Sequence, residues 1–136
     1  MKVLVDTSVW SVALRRARSN LAPQEVQLRE TLADLVRDDR AVLIGVVRQE
    51  LLSGISDIDR FNKIRTALRS IHDHPLTTPD FELAAEAFNT CRNVGIAPTF
   101  VDMTLCAAAI RLGIPILTTD KDFERYASVL PLKLFV

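Results

Sequence analysis

Cysteine and histidine are scarce in this sequence, and their scarcity excludes two kinds of site. Only two cysteines, Cys91 and Cys106, occur in 136 residues. They are too few for a disulfide framework, and each lies in an apolar helical pattern, so we expect free thiols in a reducing compartment. The two histidines, His72 and His74, have no further ligands at a zinc-type spacing, so we expect no zinc centre there.

Charge of one sign and long apolar runs are also missing. The 17 Lys and Arg residues balance 17 Asp and Glu residues, so attraction to phosphates must come from local clusters rather than from a global field. No apolar run approaches the roughly 18 residues that a membrane span requires, and the first run, Val3 to Val5, already ends at Asp6. We therefore expect neither export nor membrane anchoring, and a cytoplasmic location.

The residues that are present have the balance of a globular protein. Hydrophobic residues make up 49% of the sequence and charged residues 25%, which is far from the signature of disorder. The length suits one domain that buries its own core, and no linker, repeat or low-complexity segment interrupts it. We predict a single domain over residues 1–136.

Short apolar runs alternate with helical patterns along the chain. Strands are predicted at 3–5, 41–45 and 115–119, with brief ones at 75–77 and 132–136. Helices are predicted between them, at 8–14, from 23 onward, at 46–53, 58–71, from 78 to about 94, and at 100–112. This alternation predicts an α/β protein with a mainly parallel sheet and helices on both of its faces.

Four acidic residues adjoin these elements: Asp6, Glu50, Asp102 and Asp120. Ligands of open parallel sheets bind beyond the carboxyl ends of the strands, and Asp6 and Asp120 both follow a predicted strand. Each acid alone has an ordinary explanation. Aspartate is a preferred helix N-cap, and Asp102 fits a capping box with Thr99.

Asp102 and Glu50 are less easily explained as surface residues. The helix that carries Asp102 is apolar nearly all round, so its carboxylate should project from a buried face, where it needs a cation, strong hydrogen bonds or a proton. Glu50 lies one turn from Val46 and Val47, so we expect it to point along the semi-buried side of a short helix. The alternative for Glu50 is a surface ion pair.

The coincidence of four acids at one edge of one sheet outweighs their separate explanations. Carboxylates that share a crevice repel one another unless a divalent cation lies among them. Oxygen ligands without histidine or cysteine favour Mg²⁺ or Mn²⁺ over zinc, and phosphoryl chemistry is the natural use of such a site. Asp122 follows the fourth acid closely and is assigned as an outer member.

The same segments resemble the PIN-domain family and, within it, the VapC-type toxins of bacterial toxin–antitoxin pairs. The similar segments span the whole chain in the family's order: Val3–Trp10, Glu50–Gly54, Asp102–Ala109 and Ile116–Phe123. No single motif is decisive, but four in this order at family-like spacing are specific. One departure is Cys106, where the family more often has alanine, and this small side chain is apolar in character.

The resemblance implies a three-layer α/β/α sandwich and Mg²⁺-dependent endoribonuclease activity, with Mn²⁺ as a plausible substitute. It also implies a homodimer and silencing by a cognate antitoxin whose tail enters the active-site groove. By the same resemblance, Asp6 and Asp102 would be the principal metal ligands, and Glu50 and Asp120 would complete the acidic pocket. Polar supports beside this pocket would be Ser8 and Thr119.

Three arginines and one tryptophan keep two explanations each. Arg15, Arg16 and Arg18 either contact RNA phosphates or are solvated cations at a helix C-terminus. Trp10 either stacks on a base or packs in the core, and its neighbours favour the core. Two alternative functions also remain open: a non-catalytic PIN scaffold that binds RNA or protein, and another α/β phosphohydrolase with Asp6 as its nucleophile.

Overall fold

Strands and helices alternate along the chain as the sequence predicts. The computed structural model describes residues 1–135, apart from the side chain of Arg18. The strands are β1 (Val3–Val5), β2 (Ala41–Val42) and β3 (Ile116–Leu117). The helices are α1 (Thr7–Leu14), α2 (Pro23–Arg37), α3 (Gly45–Leu52), α4 (Ile58–Leu68), α5 (Thr78–Asn93), α6 (Phe100–Leu112) and α7 (Asp122–Ala127), and a short 3₁₀ turn spans Arg18–Asn20.

The strands form a parallel sheet in the order β2-β1-β3. Leu4 pairs with Val42 on one side and with Ile116 on the other. Every residue of β1 is fully buried, as expected of a strand that helices cover on both faces. The predicted α/β class and the helix-covered central sheet of an α/β/α sandwich are confirmed.

Two predicted strands are shorter in the structure than in the sequence analysis, because helices and loops begin earlier. Of the predicted strand 41–45, only Ala41–Val42 forms a strand, since α3 already begins at Gly45. The prediction for 115–119 gives a strand only at Ile116–Leu117. The chain therefore leaves β3 just before the polar segment that leads to Asp120.

The two brief strands of the prediction are not formed as expected. Residues 75–77 make no ladder, and the parallel bridge of this region joins Leu43 to Asp73 instead. Pro75 lacks the N–H that a ladder requires. Of the predicted strand 132–136, the described part makes a single bridge between Ile116 and Leu134, and Val136 lies outside the described residues.

Helix α6 carries the acid of the third motif into the interior. Residues Met103 to Ala109 are all buried, and the helix contacts α5 and α3. Its start is fixed by the Thr99 hydroxyl, which accepts the backbone N–H of Asp102 at 3.1 Å. Its end is fixed by Gly113, which adopts a left-handed φ of 67° that glycine tolerates without strain. A buried helix with defined ends holds Asp102 in a set position.

Several smaller predictions concern the interior and the surface. Cys91 and Cys106 are free and buried, and Trp10 is buried in the core, so the predictions of free thiols and of a core tryptophan are confirmed. In residues 1–135 no helix has both the length and the apolar character that a membrane crossing requires.

Candidate active site

Asp6 lies directly after β1 and is only 5% exposed. It occupies the N-cap position of α1, but its side chain makes no capping hydrogen bond. Its Oδ2 atom instead accepts hydrogen bonds from Ser8 Oγ at 2.7 Å and Thr118 Oγ1 at 2.8 Å. Within the described residues, no donor bonds to Oδ1 of this carboxylate. The capping explanation for Asp6 is therefore wrong, and two hydroxyls hold the group.

The same two hydroxyls link the end of β1 to the loop after β3. Ser8 Oγ accepts the backbone N–H of Thr119 at 3.1 Å, and Thr118 Oγ1 accepts that of Asp120 at 3.0 Å. Ser8 thus lies beside Asp6 as predicted. Thr119 takes part through its backbone, while its side chain is exposed.

Thr118 is the residue that sequence reasoning missed on this side of the site. A signal for it existed in the sheet register, because Val5 pairs with Leu117 in parallel. The next residue of each strand, Asp6 and Thr118, must then be neighbours. Choosing Thr118 over Thr119 required knowing that register, which the sequence alone does not give.

Asp102 is half-buried at the first turn of α6. Its Oδ2 accepts a 2.8 Å hydrogen bond from the hydroxyl of Tyr126 on α7. Burial raises the pKa of the Asp102 carboxyl, the Tyr126 hydrogen bond opposes this shift, and the negative charges of Asp6 and Asp120 raise the pKa further. The negative charges of two other candidate acids thus act on Asp102.

Tyr126 is a second residue that sequence reasoning missed. It is the only tyrosine of the chain and is 1% exposed. Burial and its bond to Asp102 raise the pKa of the phenol, so it stays a hydrogen-bond donor. No spacing rule connects Tyr126 with Asp102, because their contact depends on how α7 packs against α6.

Asp120 and Asp122 lie at the start of α7. Asp120 is partly buried, and its Oδ1 accepts the backbone N–H of Asp122 at 2.9 Å. The capping explanation thus holds in part for Asp120, which orders the first turn of α7 as well as facing the other acids. Asp122 forms an ion pair with Arg125 at 3.0 Å, half-exposed to solvent, which has little energetic weight.

Glu50 is exposed, and the prediction that it points along a semi-buried side is wrong. The buried residues of α3 are Val47 and Leu51, so the core-facing side of this short helix is already taken. Arg48 on the same helix pairs with Asp73 and not with Glu50. Glu50 nevertheless borders the same cleft as the other acids.

The four predicted acids line one open cleft of about 660 Å³. Polar and apolar residues complete its wall, and among them are Ser8, Ser11, Thr99, Phe100 and Asp122. Thr119 is not part of this wall. A larger cleft of about 870 Å³ lies beside the amino end of β1 and includes His72 and His74, but it does not contain the four acids.

A family model described as the PIN domain matches residues 3–129, which is nearly the whole chain and includes all four acids. The chain belongs to the PIN-domain family. The expectation drawn from the motif order is confirmed at the level of the family, and the acidic cleft lies within the matched PIN segment.

Solved structures with the same fold cover almost the whole of this PIN domain. FitAcB from Neisseria gonorrhoeae matches with a TM-score of 0.75 at 19% identity, over 98% of this chain and 96% of that chain. VapBC2 from Rickettsia felis, bound to a DNA fragment from its promoter, matches with a TM-score of 0.74 at 15% identity, over 99% of this chain and 98% of that chain. VapBC-1 from nontypeable Haemophilus influenzae matches with a TM-score of 0.63 at 15% identity, over 99% of this chain and 97% of that chain.

The donor chemistry of the PIN cleft fits a hard divalent cation. In the described part of the chain, no three His, Cys, Asp or Glu side chains already surround a common metal position. Mg²⁺ does not need such a set, because it usually binds one or two protein carboxylates and keeps several waters. Asp6 and Asp102, each fixed by hydroxyl groups through one oxygen, have the chemistry of such a pair.

A basic cleft adjoins the acidic one, and Ser11 lines both. Three arginines line this second cleft, Arg15, Arg16 and Arg60, together with one acid, Asp57. Arg16 is paired with Glu25, whereas Arg15 and Arg60 form no ion pair with any described side chain. The side chain of Arg18, for which RNA contact was the third such prediction, lies outside the part of the chain that the structure describes. Sequence reasoning missed Arg60, which is distant from the other arginines along the chain.

Proposed function

We propose that this PIN domain is a divalent-metal-dependent endoribonuclease that acts as the toxin of a toxin–antitoxin pair. One observation carries the nuclease part: Asp6, Asp102 and Asp120 line one cleft, and none of them forms an ion pair with a described side chain. A cluster of this kind is suited to a cation that neutralises the carboxylates and a phosphate together.

Within this proposal the four carboxylates have two roles. Asp6 and Asp102 bind Mg²⁺, or Mn²⁺ in its place, and Glu50 and Asp120 extend the acidic site toward solvent. When bound, the cation lowers the pKa of a water and neutralises charge on the phosphodiester group. Asp122 remains an outer acid of the cleft.

Hydroxyl groups of the protein position the two ligand carboxylates. Ser8 and Thr118 fix Asp6 through Oδ2, and Tyr126 fixes Asp102 in the same way. Hydrogen bonds from outer partners orient metal ligands, and their loss typically weakens metal binding or activity by about 10–100-fold. Thr119 contributes one backbone N–H to this arrangement.

The substrate and partner assignments rest on charge and on resemblance. Arg15 and Arg60 line the neighbouring cleft, and in this proposal they bind RNA phosphates on that side. The toxin role, the homodimer and the cognate antitoxin follow from the resemblance to VapC-type toxins, and the cytoplasmic location follows from the cysteine usage and the short apolar runs of the sequence. Two of the solved structures that share the fold are VapBC assemblies.

The test of the nuclease is cleavage of single-stranded RNA with Mg²⁺ or Mn²⁺ and with a chelator. We expect cleavage that needs the cation and that Asp6→Asn and Asp102→Asn abolish. Glu86→Gln, which removes an exposed acid outside the cleft, should cleave like the parent. Undiminished cleavage by Asp6→Asn and Asp102→Asn contradicts the proposal, and RNA binding without cleavage under any divalent ion favours the non-catalytic alternative.

The toxin role has a separate test. Expression should arrest growth, and co-expression of a small protein encoded next to this one should restore it. A nuclease that cleaves RNA in vitro but neither arrests growth nor responds to such a partner contradicts the toxin assignment and leaves the nuclease intact.

A further inference from the structure

A phenylalanine lies exposed at the edge of the acidic cleft. Phe100 is the first residue of α6, two positions before Asp102, and is 80% exposed. It lines the acidic cleft and also the apolar groove between α5 and α6. Among the described residues Phe100 is the most exposed of the large hydrophobic side chains, although Met103 to Ala109 of the same helix are buried.

The ring of Phe100 is held in place from one side. It stacks on Phe88 of α5 with ring centroids 5.2 Å apart and an angle of 25° between the planes. Phe88 itself is partly buried against the core. The exposed ring of Phe100 is therefore supported by the packed ring of Phe88. When a ligand stacks on the free face, the Phe100 side chain loses little conformational freedom.

The neighbouring groups decide what kind of ligand suits this ring. The acids of the cleft repel phosphates that are not neutralised by a cation, so the backbone of a nucleic acid is favoured on the arginine side, beyond Ser11. The flat, uncharged ring of Phe100 offers contact to a base instead. Single-stranded RNA is commonly bound by bases that stack on exposed aromatic side chains.

We propose that Phe100 is a stacking platform for one unpaired base of the RNA, next to the phosphodiester bond held at the acids. This inference rests on the proposed ribonuclease function and adds a substrate-positioning residue to it. The ring would fix the register of the strand, while Arg15 and Arg60 contact its phosphates.

The test measures RNA binding by three variants of the full chain. The probe is a short fluorescein-labelled single-stranded RNA of mixed sequence in Ca²⁺, checked on a gel to be intact and followed by anisotropy. Phe100→Leu, which keeps apolar bulk but removes the ring, should weaken binding roughly 5- to 150-fold. Phe100→Trp should bind at least as well as the parent. Phe81→Leu is the matched control, because Phe81 is 53% exposed in the same groove but outside the acidic cleft.

A second readout separates stacking from a general effect on structure. A single abasic nucleotide moved along the RNA should weaken binding to the parent most at one position. At that position the abasic change and Phe100→Leu should be non-additive, since each removes the same contact. Fully additive effects at every position contradict the platform.

The remaining outcomes distinguish the two proposals. Parent-like RNA binding by Phe100→Leu overturns the platform, as does equal weakening by Phe81→Leu and Phe100→Leu with a change in sedimenting mass, which would make the groove an interface between copies. A parent that binds no RNA overturns it too. If the parent cleaves no RNA in Mg²⁺ yet binds it through Phe100, the nuclease proposal fails and the platform stands.

Discussion

Two regions of the molecule bury an aspartate, one of them fully and the other in part, and they shift the pKa of its carboxyl in opposite directions. Asp80, at the start of α5, is 4% exposed and pairs with Arg111 at 2.8 Å. It also accepts the backbone N–H and the hydroxyl of Thr77. Asp102, at the start of α6, has a tyrosine hydroxyl as its donor and other carboxylates nearby.

The pKa values of the two groups reflect this difference. Burial alone raises the pKa of Asp80, but the Thr77 backbone N–H, Arg111 and the Thr77 hydroxyl together lower it below its usual range. The pKa of Asp102 is raised by burial and by its acidic neighbours. Asp80 is thus a structural acid whose charge the protein itself balances, whereas Asp102 belongs to a cluster whose charge no described side chain balances.

The largest difference between the two acids should appear in catalysis. Asp102→Asn should lower RNA cleavage at least about 10³-fold, since a bound metal contributes several kcal/mol and each 1.36 kcal/mol is tenfold in rate. Asp80→Asn should keep cleavage within a few-fold of the parent at a temperature where it is folded. Single-turnover cleavage measures both, and equal losses would remove the distinction between the regions.

The hydroxyl of Tyr126 should matter next. Tyr126→Phe removes the hydrogen bond that lowers the pKa of Asp102, so the ionised carboxylate forms only at higher pH. We expect about 10–100-fold weaker activity at limiting Mg²⁺, with the acidic limb of the pH–rate profile moved to higher pH. A rate loss that is the same at every pH would show a merely structural role for this tyrosine.

Two adjacent threonines should differ in their effect on Asp6. Thr118→Val removes a hydroxyl that bonds Asp6 at 2.8 Å and should lower cleavage about tenfold. Thr119→Val keeps the backbone N–H that reaches Ser8 and should stay within about twofold, as surface changes generally do. Cleavage kinetics of the pair at limiting Mg²⁺ check this, and a larger loss at Thr119 contradicts the assignment.

The smallest expected difference between Asp80 and Asp102 lies in the free energy of unfolding. Asp80→Ala should destabilise the fold by about 1–2 kcal/mol, mainly through lost capping bonds, because Arg111 is 41% exposed and its ion pair is weak. Asp102→Asn should stabilise the metal-free protein by roughly 0.5–2 kcal/mol. Denaturant unfolding in EDTA measures both, and destabilisation by Asp102→Asn contradicts the expected trade-off.

The pH dependence of these two stabilities has opposite signs. The contribution of Asp80 is present above its unfolded pKa of about 3.9 and is lost as pH falls through its lowered folded value. For Asp102 the folded pKa is raised, so stability is lost as pH rises through that value. The gain from Asp102→Asn should therefore be larger at neutral than at acidic pH in unfolding titrations.

The sequence predicted the elements near the site well, because their signals are local. The buried run Val3–Val5, the helix Phe100–Leu112 and the placement of Asp6 and Asp120 after strands follow from periodicity and strand ends. The exposure of Glu50 did not follow, because a short helix offers few residues to define its buried side, and Val47 and Leu51 took it.

The hydroxyl partners of the acids were the part that the sequence did not disclose. Thr118 is beside Asp6 because of the parallel register of two strands that are distant in sequence. Tyr126 reaches Asp102 because of how two helices pack. Such contacts depend on tertiary geometry, whereas the acids themselves are marked by their residue type and their place at the ends of elements.

The central claim is that Asp6 and Asp102 bind a divalent cation, and calorimetric titration with Mn²⁺ tests it most directly. We predict that the parent and Asp80→Asn bind Mn²⁺ with similar affinity, that Asp6→Asn and Asp102→Asn lose this binding, and that affinity falls as the pH is lowered. Equal Mn²⁺ binding by the parent and by a folded Asp6→Asn, Asp102→Asn double variant would contradict the account.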